Sequence, residues 1–117
     1  MIMLKCETDM TGGNVQMFVP KVKNQQTDLL MQAVLALKTE EDAYRFFEDV
    51  CTIAEIKSMA QRMEVAAMLR SKMTYQEIAE KTGASSATIS RVNRALTYGA
   101  DGYQQVLDAM QAERAGE

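Results

Sequence analysis

The stretch from Thr74 to Arg94 leaves this chain little choice of structure. Thr74-Tyr75-Gln76-Glu77 is a capping box: the threonine hydroxyl and a glutamate three residues on satisfy each other's free backbone N–H groups where a helix starts. Gly83 supplies a helix stop. Ser85 or Ser86 then caps a second helix, which ends at Tyr98-Gly99. Two short helices joined by so tight a turn cross closely, and the crossing dictates residue types. Ile78 is apolar to face the second helix, and Ala79 is small where the helices meet. Gly83 tolerates positive φ. Ile89 and Val92, three apart, are apolar and seat the second helix. All five requirements are met, so a helix-turn-helix is expected at about residues 75–94.

The outward face of the second helix carries Ser85, Ser86, Ala87, Thr88, Ser90, Arg91 and Arg94. A helix entering the DNA major groove by its N-terminus needs this profile. Small residues allow close approach, hydroxyls bond bases or phosphates, and arginine takes guanine or phosphate. Residues 85–90 are expected at the bases, Arg91 and Arg94 mainly at phosphates, and Lys72 and Gln76 at the flanking backbone. An ordinary helical hairpin with a solvated polar face is the plain alternative. Charge favours the DNA reading. Net charge is −3 over the whole chain, yet Lys57–Tyr98 holds seven basic and three acidic residues, which is +4 and leaves −7 elsewhere. A basic face on an acidic protein binds phosphate while the remainder limits non-specific attachment.

The rest of the chain reads as helix after an irregular start. Residues 1–26, with the turn-forming Thr11-Gly12-Gly13-Asn14 and the single proline Pro20, are expected to form a flexible N-terminal arm with a short strand or docking segment near Met17-Phe18-Val19. From Thr27 a helical domain runs to residue 117. Its first helix, Leu29 to Leu37, is apolar on nearly every side, which one small subunit cannot cover and which therefore points to a homodimer contact. Thr39 caps a second helix with Glu40, Glu41 and Asp42 in its first turn, where carboxylates suit the positive end of the helix dipole. Thr52-Ile53-Ala54-Glu55 is another capping box and opens a third helix to about Ser71. A last helix runs from about Gly102 to Arg114. The ten methionines are read as core filling, with a partner groove as the other use of such flexible side chains.

Several classes of function are disfavoured. There is no histidine, and Cys6 and Cys51 stand far apart, so no metal site is expected and both thiols are read as reduced. Without a Ser-His or Cys-His pair or a phosphate-binding glycine loop, the chain is not read as an enzyme. No apolar run reaches the roughly 18 residues of a membrane span, and no signal peptide is discernible, so a cytoplasmic protein without membrane association is expected. A helical module that binds protein rather than DNA is the second reading. Acidic residues between Ser85 and Arg94 would favour it, and there are none.

Thr52 through about Leu107 resembles the Trp repressor family, in particular its YerC/YecD-like branch. The shared features are the capped Thr52-Ile-Ala-Glu, the segment Gln61-Arg62-Met63-Glu64-Val65, and Gly83-Ala-Ser-Ser-Ala-Thr-Ile-Ser-Arg91. The resemblance implies a six-helix, all-α subunit, an intertwined homodimer, and a transcriptional regulator, most simply a repressor, that binds double-stranded DNA. It also implies water-bridged contacts to the bases. In that family tryptophan sits between the long central helix and the recognition helix, and by resemblance Thr52, Arg62 and Arg91 would line such a small-ligand pocket. Two positions depart. Val92 stands where the family has the glycine that packs on the indole, and Ala95 stands where a serine helps hold the ligand's amino group. No tryptophan co-repressor is therefore expected, and any small-molecule effector is left open.

Overall fold

A computed structural model of the chain describes residues 18–116. Its described residues form six helices and no strand: α1 (Gln25–Leu35), α2 (Glu40–Val50), α3 (Ile53–Arg70), α4 (Tyr75–Thr82), α5 (Ser86–Tyr98) and α6 (Gly102–Ala115). The all-α class is as the sequence indicated. Two compact units divide at Phe46 and Phe47, inside α2. Most of the expected N-terminal arm, including Cys6 and Met17, lies outside the described residues, and Phe18 and Val19 adopt neither helix nor strand. No helix of the described chain is long and apolar enough to cross a membrane.

In the first unit α1 starts two residues before Thr27. Asn24 is the cap: its side chain accepts the Thr27 N–H at 2.9 Å, and the Thr27 hydroxyl accepts the Asn24 N–H at 2.8 Å. Thr27 is thus the inner partner of a capping box that the polar Asn24-Gln25-Gln26 run disguised. The helix stops at Leu35, short of Leu37, and no residue in it is buried. Leu29 is 69% exposed and Leu35 80%. α2 is capped by Thr39, whose hydroxyl accepts the Asp42 N–H at 3.0 Å, and carries its three carboxylates in the first turn as expected.

The second unit holds the core. Val65 and Ala66 of α3, Ile78 of α4, Ala84 of the turn, and Ile89, Val92 and Leu96 of α5 are buried together. Met68, Leu69, Met73, Ala79, Tyr103 and Leu107 pack around them. Met68 and Met73 thus serve as core filling, whereas Met31 and Met110 are exposed. Both ends of α3 are closed by local chemistry. Thr52 and Glu55 make the reciprocal capping box at 3.0 and 2.8 Å. At the other end the Lys72 N–H donates to Leu69 O at 3.0 Å and the Met73 N–H to Met68 O at 3.2 Å. Those two bonds make a Schellman ending. Lys72 occupies its left-handed position, with φ of 67°. α6 is tied to the core helices through polar groups. Gln104 Nε2 donates to Leu96 O at 3.2 Å, and Arg70 pairs with Asp108 at 2.9 Å.

Candidate nucleic-acid interface

α4 and α5 form the helix-turn-helix, and each of the five residues demanded by its crossing is where the geometry needs it. Ile78 and Ile89 are fully buried, Ala79 is half-buried, and Val92 is 1% exposed. Gly83 ends α4 at φ of 76°, and its N–H donates to Ala79 O at 2.9 Å. Thr82 braces the turn as well: its hydroxyl donates to Ile78 O at 2.8 Å and accepts the Ala84 N–H at 3.0 Å. From α3, Gln61 Nε2 donates to Thr82 O at 3.2 Å. Sequence reasoning singled out neither Thr82 nor Gln61. Thr82 could have been found from its place before the stopping glycine. Nothing local marks Gln61, because its partner lies 21 residues away.

The start of α5 settles which serine is the cap. Ser85 accepts the Thr88 N–H at 3.1 Å and donates its own hydrogen to Thr88 Oγ1, also at 3.1 Å. A serine hydroxyl has one hydrogen and two lone pairs, so Ser85 keeps one lone pair for any further partner. Ser86 and Ala87 are exposed, and their N–H groups stand in the first turn, where a helix offers no internal acceptor. Ser90, Arg91 and Arg94 are exposed, Thr88 half-buried. Gln76 is exposed in the first turn of α4, and Lys72 is exposed in the turn between α3 and α4. The nine residues expected to face DNA therefore lie on the turn before α4, on the start of α4, and along α5.

The charge on this surface is unspent. α5 contains Arg91 and Arg94 and no carboxylate. Among the described residues the ion pairs are Lys23–Asp28, Arg45–Glu41 and Arg70–Asp108. Of the seven cations counted between Lys57 and Tyr98, only Arg70 is committed, as a brace to α6. Length decides how far the helix can read. Arg94 lies eight residues past Ser86, or about 12 Å along the axis, the width of the major groove.

Thr52, Arg62 and Arg91, which the resemblance names for a small-ligand pocket, lie at the cap of α3, on α3 and on α5. The Thr52 hydroxyl accepts the Glu55 N–H at the α3 cap and keeps its hydrogen and a second lone pair. Arg62 is half-buried on α3, ten residues further, which is about 15 Å along a helix. Arg91 is exposed on α5, which packs against α3. The Val92 side chain fills core volume beside it.

Fold and surface together define a helix-turn-helix protein. The profile of the Trp repressor protein family matches residues 25–111. An uncharacterised protein of Bacillus subtilis, YerC, is 53% identical over 92 residues, covering 79% of this chain and 88% of that protein. A Trp operon repressor homolog of Chlamydia caviae is 43% identical over 61 residues, covering 51% of this chain and 60% of the homolog. The crystal structure of a TrpR like protein from Eubacterium eligens superposes with a TM-score of 0.75 at 60% identity, covering 78% of this chain and 94% of that one. The chain belongs to the Trp repressor family, whose members are DNA-binding regulators rather than enzymes.

Proposed function

We propose that this protein is a homodimeric, sequence-specific transcriptional repressor that reads the major groove with the first two turns of α5 and does not use tryptophan as co-repressor. One observation carries the reading: α5 presents small exposed side chains and free N–H groups at its start, followed by two exposed, unpaired arginines, and contains no carboxylate. Free N–H groups at a helix start attract phosphate and donate to acceptors on base edges or to bridging water. Serine and alanine are too short to span a gap, so Ser85, Ser86, Ala87 and Ser90 meet the bases by close approach or through water. Thr88 is half-spent on the cap and contributes its remaining hydroxyl hydrogen. Arg91, Arg94, Lys72 and Gln76 hold phosphates and set the register.

The absence of a tryptophan response is argued from packing. An indole against α5 at residue 92 would need the volume that Val92 occupies at 1% exposure. Interiors at crystal-like density do not yield such volume without cost. The test of the proposed function is selection of bound duplexes from a random pool, followed by sequencing, with no ligand added. Enrichment of two inverted half-sites is expected, since paired half-sites mirror a two-fold dimer. A pool that stays random after several rounds, with binding that only tracks salt, would sink it.

A further inference from the structure

The helix-turn-helix is joined to α3 by one polar side-chain bond that the packing of the core does not require. Gln61, half-buried on α3, donates through Nε2 to Thr82 O at 3.2 Å. That carbonyl is one of the last four of α4, which the helix itself leaves without a partner. The same residue holds the turn by its hydroxyl, which accepts the Ala84 N–H at 3.0 Å. Ala84 is buried and immediately precedes Ser85, the cap of α5. An unbroken set of contacts thus runs from α3 through Gln61, Thr82 and Ala84 to the first residue of the reading helix.

We propose that Gln61 is a positioning residue for DNA reading, fixing the angle at which α5 is presented by holding the Thr82 carbonyl. The inference rests on the DNA-reading role set out above. Apolar contacts of Ile78, Ile89 and Val92 hold the two helices together but are non-directional. A hydrogen bond to the turn adds a direction. Short side chains at the bases make the reading sensitive to small rotations, because Ser86 and Ala87 have no length with which to compensate.

The test uses the full chain and two substitutions, Gln61→Met and Gln61→Glu. The first keeps the bulk and removes the donor. The second sets a carboxylate against the carbonyl. A duplex selected by the unaltered protein and a random duplex of equal length are then titrated with each variant, well below its melting midpoint. The expected result is a loss of about tenfold on the selected duplex, the scale of one lost base contact. Binding to the random duplex and its salt slope should stay unchanged, and Gln61→Glu should lose more than Gln61→Met. A merely structural residue would not change the ratio of the two affinities in a folded variant. Equal tenfold losses on both duplexes, no loss on either, or both variants unfolded at the assay temperature would each overturn the proposal. If the unaltered protein selects no duplex, the DNA-reading role itself fails and takes this inference with it. If it does select one and Gln61→Met binds that duplex as tightly, only the role of Gln61 falls.

Discussion

Lys72 holds a left-handed backbone, φ of 67°, one position beyond the cap of α3, where helices commonly place glycine. A residue with a Cβ gives up about 1–2 kcal/mol in that conformation. The side chain is exposed and makes no ion pair among the described residues, so the left-handed backbone is held by the two Schellman hydrogen bonds alone. The function proposed for this cation, at the entrance to the helix-turn-helix, is phosphate binding. Lys72→Gly is accordingly expected to raise stability by about 1 kcal/mol while lowering affinity for every DNA sequence. Chemical denaturation and salt-dependent titration read the two effects separately, and a variant that is both less stable and fully binding would contradict the assignment. Arg94→Ala tests the other end of the surface. Under the proposed phosphate role of Arg94, its loss should weaken all duplexes alike and reduce the slope of log affinity against log salt by roughly one unit. A changed sequence preference would instead put Arg94 on a base.

α5 is the element on which function turns, and its two ends are set differently. Its start is an exposed surface: replacing Ala87 by a bulky residue such as phenylalanine is expected to abolish or redirect specific binding while non-specific binding persists, because a large side chain blocks close approach. Repeating the random-pool selection with that variant and recovering the same sequence would show that Ala87 lies off the bases. Its end is a steric requirement. A Cβ on Gly99 would stand 2.4 Å from the Ala95 carbonyl oxygen, which is backbone and accepts the Gly99 N–H. Gly99→Ala should therefore cost about 1–3 kcal/mol, as overpacked sites do, measured as a lower denaturation midpoint. Much of α4 and α5 was legible in the sequence because their signals are local: Thr74 with Glu77, Gly83, and the spacing of Ile78, Ile89 and Val92 each act within a turn or two. The exposure of the residues proposed to face DNA was legible for the same reason, since α5's outer face follows from its buried one. What was not legible depends on backbone angles or distant partners. The glycine-like geometry at Lys72 has no sequence mark, Gln61 finds its acceptor across the fold, and the start of α1 was misplaced because Asn24 sits in a polar run without a period.

At the scale of the whole molecule, the described residues of the first unit leave apolar side chains uncovered. α1 has 11 residues, and isolated helices shorter than about 12–15 residues are marginal in water. None of its residues is fully buried, Ala33 and Val34 are half-buried, and Leu29, Leu30, Met31 and Leu35 are all exposed. Burying one such side chain fully is worth about 1.5–3 kcal/mol, so leaving four of them largely in water forgoes an amount comparable to the net margin on which domains stand. A second copy covers them if α1 is a subunit contact, and the family's habit of dimerising agrees with that. The expected particle in light scattering at micromolar concentration has twice the 13.1 kDa of one chain. Leu29 and Leu35 both changed to lysine should give a monomer that has also lost helical signal, since α1 would have nothing to rest on. The pairing should matter for DNA as well. One copy of α5 reads a single half-site, whereas two on a fixed axis add the second contact at an effective concentration that can raise avidity by about 10²–10⁴. The double variant should accordingly lose most of its specific affinity even though every residue of its helix-turn-helix is unchanged. A single 13.1 kDa particle in the unaltered protein, or full specific affinity in the double variant, would show that α1 is covered in some other way.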